Sequence, residues 1–168
     1  MKFVEVFTSK DNIQLDKKTL VILRWIAIIG QFISISSVYI ILNFKLPFFT
    51  CLTVVVLGSL TNLYLQFVVK ENQLSNIKSS SYLLYDLIQL SFLLFLTGGV
   101  TNPFIILLII PAIVSSTFLS LRSTVNLSII TIIILIVLTL NHYPLPHAVD
   151  LHFHVPNYYL YSIPFAII

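Results

Sequence analysis

The stretch Gly98-Gly99-Val100-Thr101-Asn102-Pro103-Phe104 separates two long apolar runs of this chain. Residues 90–97 lead into it and residues 105–110 lead away, so the pattern predicts a tight turn between two membrane helices. Adjacent glycines permit positive φ angles where a helix ends. Asn102 is a residue type that caps helices, and Pro103 suits the first helical position. On local chemistry alone, the stretch is fully explained as a well-capped turn.

The composition places the chain in a lipid bilayer. Of 168 residues, 58% are hydrophobic and only 9% are charged, whereas soluble domains average about 25% charged residues. So few charges cannot cover a surface that faces water. The net charge of +3 requires no nucleic-acid partner, because basic residues in membrane proteins mark cytoplasmic loops. Cys51 is the sole cysteine, which excludes an internal disulfide and a multi-cysteine metal site.

The hydrophobic runs predict an all-α fold, a polytopic membrane bundle of five complete transmembrane helices and the start of a sixth. A cytoplasmic lead-in at residues 1–19 precedes the transmembrane domain at residues 20–168. We expect Asp16 to cap the first helix, Pro111 to kink the fourth, and Arg122 with Ser123 to form a minimal turn. The predicted spans are residues 20–42, 47–69, 79–97, 103–121, 124–140 and 158–168.

The basic residues predict the orientation. With the N-terminus in the cytoplasm, eight lysines and arginines lie inside and only Lys45 lies outside, as the positive-inside rule prefers. The Gly98–Phe104 turn then faces outward. The last run, residues 158–168, reaches across about half of the ~30 Å hydrocarbon core. We therefore expect the sequence to be part of a longer protein, with any further domain in the cytoplasm.

Arg24 and Asp86 are the charged residues predicted within the spans. Such charges are costly and usually face the interior with a partner. Both enter their helices from the cytoplasmic side at similar depth, so we expect them to pair across the first and third helices. Asp86 precedes Gly98 by twelve residues, about 18 Å along a helix, and cannot touch a ligand held at the turn. The pair is interpreted as structural or signal-transmitting, with a proton relay as the alternative.

Other polar residues suggest ordinary roles. Five amides within or near the spans are predicted to form interhelical hydrogen bonds: Gln31, Asn62, Gln66, Gln89 and Asn126. Four histidines crowd the loop after the fifth span: His142, His147, His152 and His154. They lack cysteines and have one nearby acid, so we predict no metal site and favour a wet loop that responds to pH.

The heptapeptide Gly98–Phe104 resembles the GGxxNPF motif of the RegB/PrrB family of redox-sensing histidine kinases. The likeness extends in order from about residue 20 to residue 147. It is carried by residues 23–27 with 30–31, residues 46–47 with 62–63, residues 86–90 with 96–99, and residues 144–146. A single heptapeptide is a moderate signal, whereas its combination with these neighbours is a strong one.

The resemblance implies a six-helix sensor domain in the bacterial inner (cytoplasmic) membrane that binds a ubiquinone-like quinone and passes its redox state to a kinase. It makes Gly98, Gly99, Asn102, Pro103 and Phe104 the candidate quinone-site residues. It also implies a homodimer, a cognate response regulator, and an ATP-binding kinase domain beyond the sixth helix. The phosphoacceptor histidine of the family would lie there too, so this chain is expected to carry no catalytic residue.

Two other classes compete with this interpretation. A small membrane transporter or channel subunit without a kinase would also be rich in apolar helices. The sequence lacks the internal repeat and the charged midplane pathway that would favour such a protein. A quinone-using membrane oxidoreductase would need ligands for a second redox centre, and the sequence offers none.

Overall fold

The computed structural model describes residues 15–41, 43–144 and 166–167, and the described residues form helices with no strand. Helix α1 covers Lys17–Ile40, α2 covers Phe48–Phe67 and α3 covers Asn76–Leu96. A 3₁₀ turn, Gly99–Thr101, leads to a 3₁₀ helix, Pro103–Ile109, which continues as α4, Ile110–Phe118. Helix α5 covers Leu121–Leu140. The all-helical prediction is therefore confirmed for this part of the chain.

Helices α1, α2, α3 and α5 are each long and apolar enough to cross a bilayer. Their outer faces carry large apolar side chains, such as Ile26 at 64% exposed, Phe67 at 74% and Ile133 at 53%. Monomeric soluble proteins rarely expose such continuous apolar surface. The arrangement fits a bundle whose outer surface faces lipid. The predicted count of five complete spans, the sixth helix and the orientation stay predictions.

The predicted fourth span differs most from the structure. Residues 103–121 were expected to form one α-helix, but only Ile110–Phe118 is α-helical. Pro111 accounts for the end of the 3₁₀ segment, because it has no N–H for the carbonyl of Leu107. That carbonyl accepts from Ile110 N instead, in the shorter 3₁₀ pattern. Pro111 lies in the first turn of α4, where its missing donor costs little, so it marks a change of helix type.

A second difference concerns the turn before α5. The turn expected at Arg122 and Ser123 is wrong, because both residues lie in the first turn of α5. Ser120 is the N-cap, and its hydroxyl accepts from Ser123 N at 3.5 Å. At the start of α1, Asp16 occupies the N-cap position as expected, but its side chain makes no capping hydrogen bond.

Backbone contacts bring loops together at each end of the bundle. At one end, Lys17 N donates to Asn72 O at 2.9 Å and Leu74 N donates to Leu15 O at 3.2 Å. At the other end, Tyr143 N donates to Phe95 O at 3.0 Å. The first contact joins the start of α1 to the α2–α3 loop. The second joins the segment after α5 to the end of α3, beside the Gly98–Phe104 turn.

Polar side chains link α1, α2 and α3, two of the bonds in the interior and one at the surface. Gln89 Nε2 donates to Gln31 Oε1 at 3.0 Å, and Asn62 Nδ2 donates to Val21 O at 3.2 Å. Trp25 Nε1 donates to Gln66 Oε1 at 3.2 Å. In hydrocarbon such bonds are worth about 0.6 kcal/mol each on average, so together they fix the register of the three helices. Asn126, in contrast, is exposed on α5.

Gly58 supplies the space that one of these bonds needs. A Cβ atom at this position would lie 2.5 Å from both Gln89 Nε2 and Gln89 Oε1. Gly30, on α1, has no atom within 4 Å of its own ideal Cβ position. The two helical glycines therefore differ in what they contribute, because only Gly58 admits a neighbouring side chain.

We predict that Gly58→Ala lowers the free energy of unfolding by about 1 kcal/mol. The added methyl group displaces the Gln89 amide, and the lost hydrogen bond outweighs the gain in helix propensity. Gly30→Ala is the matched control and should be neutral or stabilising by up to about 1 kcal/mol. Denaturation in mixed micelles, followed by circular dichroism, measures both. Equal effects of the two substitutions would contradict the packing argument.

Candidate functional site

The turn between α3 and the 3₁₀ helix is built on two consecutive left-handed glycines. Gly98 has a φ of 115° and Gly99 a φ of 54°. Positive φ is costly for residues that carry a Cβ, so glycine suits both positions. The chain then closes a 3₁₀ turn, in which Thr101 N donates to Gly98 O at 3.0 Å and Asn102 N donates to Gly99 O at 3.2 Å.

Asn102 holds the two sides of this turn together. Its Oδ1 accepts from Phe104 N at 2.9 Å and so caps the 3₁₀ helix. Its Nδ2 donates to Thr97 Oγ1 at 2.7 Å and to Thr97 O at 3.1 Å. The side chain is buried, and both ends of the amide are engaged. Asn102 therefore acts as a clamp between the end of α3 and the start of the next helix.

Three consecutive backbone donors in the turn remain without an acceptor among the residues that the structure describes. They are the amides of Gly98, Gly99 and Val100, which make none of the hydrogen bonds at this end of the bundle. Successive N–H groups beside a left-handed residue form a concave site for an anion or a carbonyl oxygen. All three residues are buried, and the chemical complement of such donors is a group with acceptor oxygens.

Pro103 and Phe104 lie at the outer edge of the turn. Pro103 is exposed, and the Phe104 side chain is 42% exposed. Phe95, on α3, is half-buried and packs on two aromatic rings. Its centroid is 6.4 Å from that of Phe92, in a stacked arrangement, and 5.5 Å from that of Tyr143, edge-on. Two apolar surfaces, Phe104 and the Phe95 group, thus flank the turn.

His142 joins this site, and the sequence did not predict that contact. A Cβ atom on Gly99 would overlap the His142 imidazole ring, so the ring packs on the backbone of the second glycine. The Nδ1 atom of His142 lies 2.7 Å from Leu138 O, which fixes the ring against the end of α5. Forty-three residues separate Gly99 from His142 in the sequence, and no local pattern connects them.

The structure brings Arg24 and Asp86 together between α1 and α3. Arg24 Nε lies 2.9 Å from Asp86 Oδ1 and 3.1 Å from Oδ2. Arg24 Nη2 donates to Thr61 Oγ1 at 2.8 Å, which adds α2 to the contact. The Arg24 side chain is 2% exposed, against 26% for Asp86. This one arginine therefore binds two neighbouring helices.

Aromatic rings complete the surroundings of the Arg24 guanidinium. Its Cζ lies 5.3 Å from the ring centre of Tyr82 and 5.6 Å from that of Tyr85. Both distances are within the range of cation–π attraction. Arg24 Nη1 is buried and has no hydrogen-bond partner among the described residues. The guanidinium is therefore in contact with a carboxylate, a hydroxyl group and two aromatic rings, whereas its Nη1 has no acceptor among the described residues.

The turn and the ion pair are separate sites on one helix. Asp86 precedes Gly98 by twelve residues on α3, about 18 Å along the helix axis. Two shallow grooves lie between the helices. One of about 290 Å³ lies between α3 and α5, beside Ser80 and Asn126. Another of about 220 Å³ lies between α2 and α3, beside Tyr85 and Gln89. Neither groove is lined by a residue of the Gly98–Phe104 turn.

Comparison with known proteins gives one informative match. The chain is 38% identical over 152 residues to "Sensor histidine kinase RegB" from Cereibacter sphaeroides. The match covers 90% of this chain but only 33% of that protein. No family model matches the chain, and neither does any solved structure. Over nearly the whole of its own length, this chain is therefore similar to about one third of a sensor histidine kinase.

Proposed function

We propose that this chain is the membrane input domain of a redox-responsive sensor histidine kinase. A quinone binds near the outward-facing turn between α3 and the 3₁₀ helix, and its redox state is relayed to a cytoplasmic kinase. In the full-length protein, the kinase uses ATP and passes its phosphoryl group to a response regulator. The protein acts as a homodimer in the bacterial inner membrane.

The observation that carries the proposal is the similarity to a sensor histidine kinase over 90% of this chain. The apolar outer surfaces of the long helices support a membrane location. Because the chain spans about one third of the relative's length, the kinase and its partners belong to the proposal. A transporter or channel subunit, the competing class, gains no support from a specific feature of the described residues.

The chemistry of the turn fits a quinone. A quinone ring presents two carbonyl acceptors and carries an apolar tail. The unpaired amides of Gly98, Gly99 and Val100 can donate to a carbonyl oxygen, and exposed Phe104 offers a surface for the ring. Asn102 already uses both ends of its amide within the turn, so it shapes the site, and the second lone pair of its Oδ1 remains free to accept a hydrogen bond.

Helix α3 connects the proposed ligand site to the rest of the bundle. The turn begins at its C-terminal end, and Asp86 lies near its middle. A ligand that binds two positions of α3 unequally shifts the balance between them. A tenfold difference in affinity corresponds to about 1.4 kcal/mol. The Arg24–Asp86 pair would pass such a movement of α3 to α1 and, through Thr61, to α2.

Quinone binding to the purified domain in lipid nanodiscs is the direct test. We expect saturable binding of a short-chain ubiquinone to the wild type. Phe104→Ala should weaken it by about tenfold, because a stacking surface is lost. Asn102→Ala should also weaken it, since loss of the cap costs about 1 kcal/mol and loosens the donors in the turn.

Phe67→Ala is the matched control, because Phe67 is an exposed phenylalanine on α2, far along the chain from the turn. It should bind quinone like the wild type. Circular dichroism must show that each variant keeps its helical content. A folded wild-type domain that fails to bind quinone in lipid would refute the proposed ligand and leave the heptapeptide a capped turn.

Asp86→Asn tests the ion pair. The substitution leaves the Arg24 guanidinium buried without its counter-ion, which typically costs about 3–5 kcal/mol. We expect a less stable domain and, in the full-length protein, autophosphorylation that responds less to quinone. The exchange Arg24→Asp with Asp86→Arg restores opposite charges and should recover part of both losses. Normal stability together with normal signalling in Asp86→Asn would exclude both the structural or signal-transmitting role of the pair and the alternative role as a proton relay.

A further inference from the structure

The His142 imidazole closes one side of the Gly98–Phe104 turn. Its ring packs so tightly on Gly99 that a Cβ atom there would overlap it. The following residue, Tyr143, is fixed to α3 through its backbone N–H, which donates to Phe95 O at 3.0 Å. The Tyr143 ring then contacts the Phe95 ring edge-on at 5.5 Å. These contacts hold His142 beside the unpaired amides of the turn.

The hydrogen bond at the other end of the ring determines its chemistry. Nδ1 of His142 lies 2.7 Å from Leu138 O. A carbonyl oxygen only accepts, so Nδ1 must carry the proton and donate. In the neutral imidazole, Nε2 then has a lone pair and accepts a hydrogen bond. No residue in the described part of the chain uses Nε2 as a hydrogen-bond partner.

We propose that His142 is a ligand-binding residue of this site, and that its Nε2 accepts a hydrogen bond from a hydroxyl group of the reduced ligand, the hydroquinone. The inference rests on the proposed quinone function and extends it to a residue outside the heptapeptide. The oxidised ring has carbonyl oxygens, which accept and cannot donate to Nε2. The reduced ring has hydroxyl groups, which can.

The two redox forms then differ in one of the protein groups that bind them, the His142 imidazole. The amides of Gly98, Gly99 and Val100 donate to an oxygen of either form. His142 adds a hydrogen bond only to the hydroquinone. This hydrogen bond connects the ligand to the end of α5, because Nδ1 of the same ring is bonded to Leu138 O. The redox state would thus decide whether α5, as well as α3, is tied to the ligand. If two arrangements of the helices form this contact to different extents, quinone and hydroquinone favour them unequally.

Separate titrations of the two redox forms test the role of His142. The probes are a short-chain ubiquinone and the same compound kept reduced by dithionite under argon, with the domain in lipid nanodiscs. His142→Phe keeps a flat ring over Gly99 but has no nitrogen acceptor. We expect the dissociation constant for the hydroquinone to rise about five- to tenfold, and that for the quinone to change less than about twofold.

Two further variants distinguish ligand binding from packing. His142→Gln supplies an amide oxygen as an acceptor and should recover part of the hydroquinone affinity. Tyr64→Phe changes an exposed tyrosine of α2 outside the site and should bind both forms like the wild type. An unchanged hydroquinone affinity in His142→Phe, or equal losses for both forms, would overturn the role of His142 while quinone binding stands. A wild-type domain that binds neither form would refute the proposed function itself.

Discussion

The Arg24–Asp86 pair sets a constraint that the surrounding helices must satisfy. A lone charge within hydrocarbon is costly, and two opposite charges are tolerated only when they meet. Arg24 lies seven residues into α1 and Asp86 ten residues into α3, so both charges lie away from the ends of their helices. The 2.9 Å contact between them fixes how far α1 and α3 can slide past each other. Thr61 ties α2 to the same guanidinium, so three helices share one register.

Much of the fold follows from residue patterns that can be read directly. Long apolar runs predict long helices, and paired glycines followed by Asn102 and Pro103 predict a helix end, a turn and a helix start. The 3₁₀ helix at Pro103–Ile109 could not be predicted in the same way, because 3₁₀ and α-helices have similar sequence preferences. The missing N–H of Pro111 contributes at the end of this segment, where it acts on a carbonyl four residues earlier. A proline in a membrane helix predicts a local change in backbone hydrogen bonding. The kind of change depends on which neighbouring N–H donates to the carbonyl that the proline leaves without a donor.

The candidate site divides into parts that sequence can and cannot reveal. The heptapeptide is contiguous, so its residues stand out at once. Asn102 was expected either to cap or to contact a ligand, and in the structure its side chain caps the 3₁₀ helix and also donates to Thr97. His142 is different, since its contact with Gly99 depends on how α5 packs beside α3. Only three-dimensional packing places an imidazole from a histidine-rich loop against the turn.

The 3₁₀ helix between the turn and α4 differs from an α-helix in its rise and its rotation per residue. An α-helix advances about 1.5 Å and turns about 100° per residue, whereas a 3₁₀ helix advances about 2.0 Å and turns about 120°. Over the seven residues Pro103–Ile109, conversion to α-helical geometry would shorten the segment by about 3.5 Å. It would also rotate Phe104 by about 120° relative to Ile110. A small change in hydrogen bonding would thus become a large change in which face of this helix meets its neighbours.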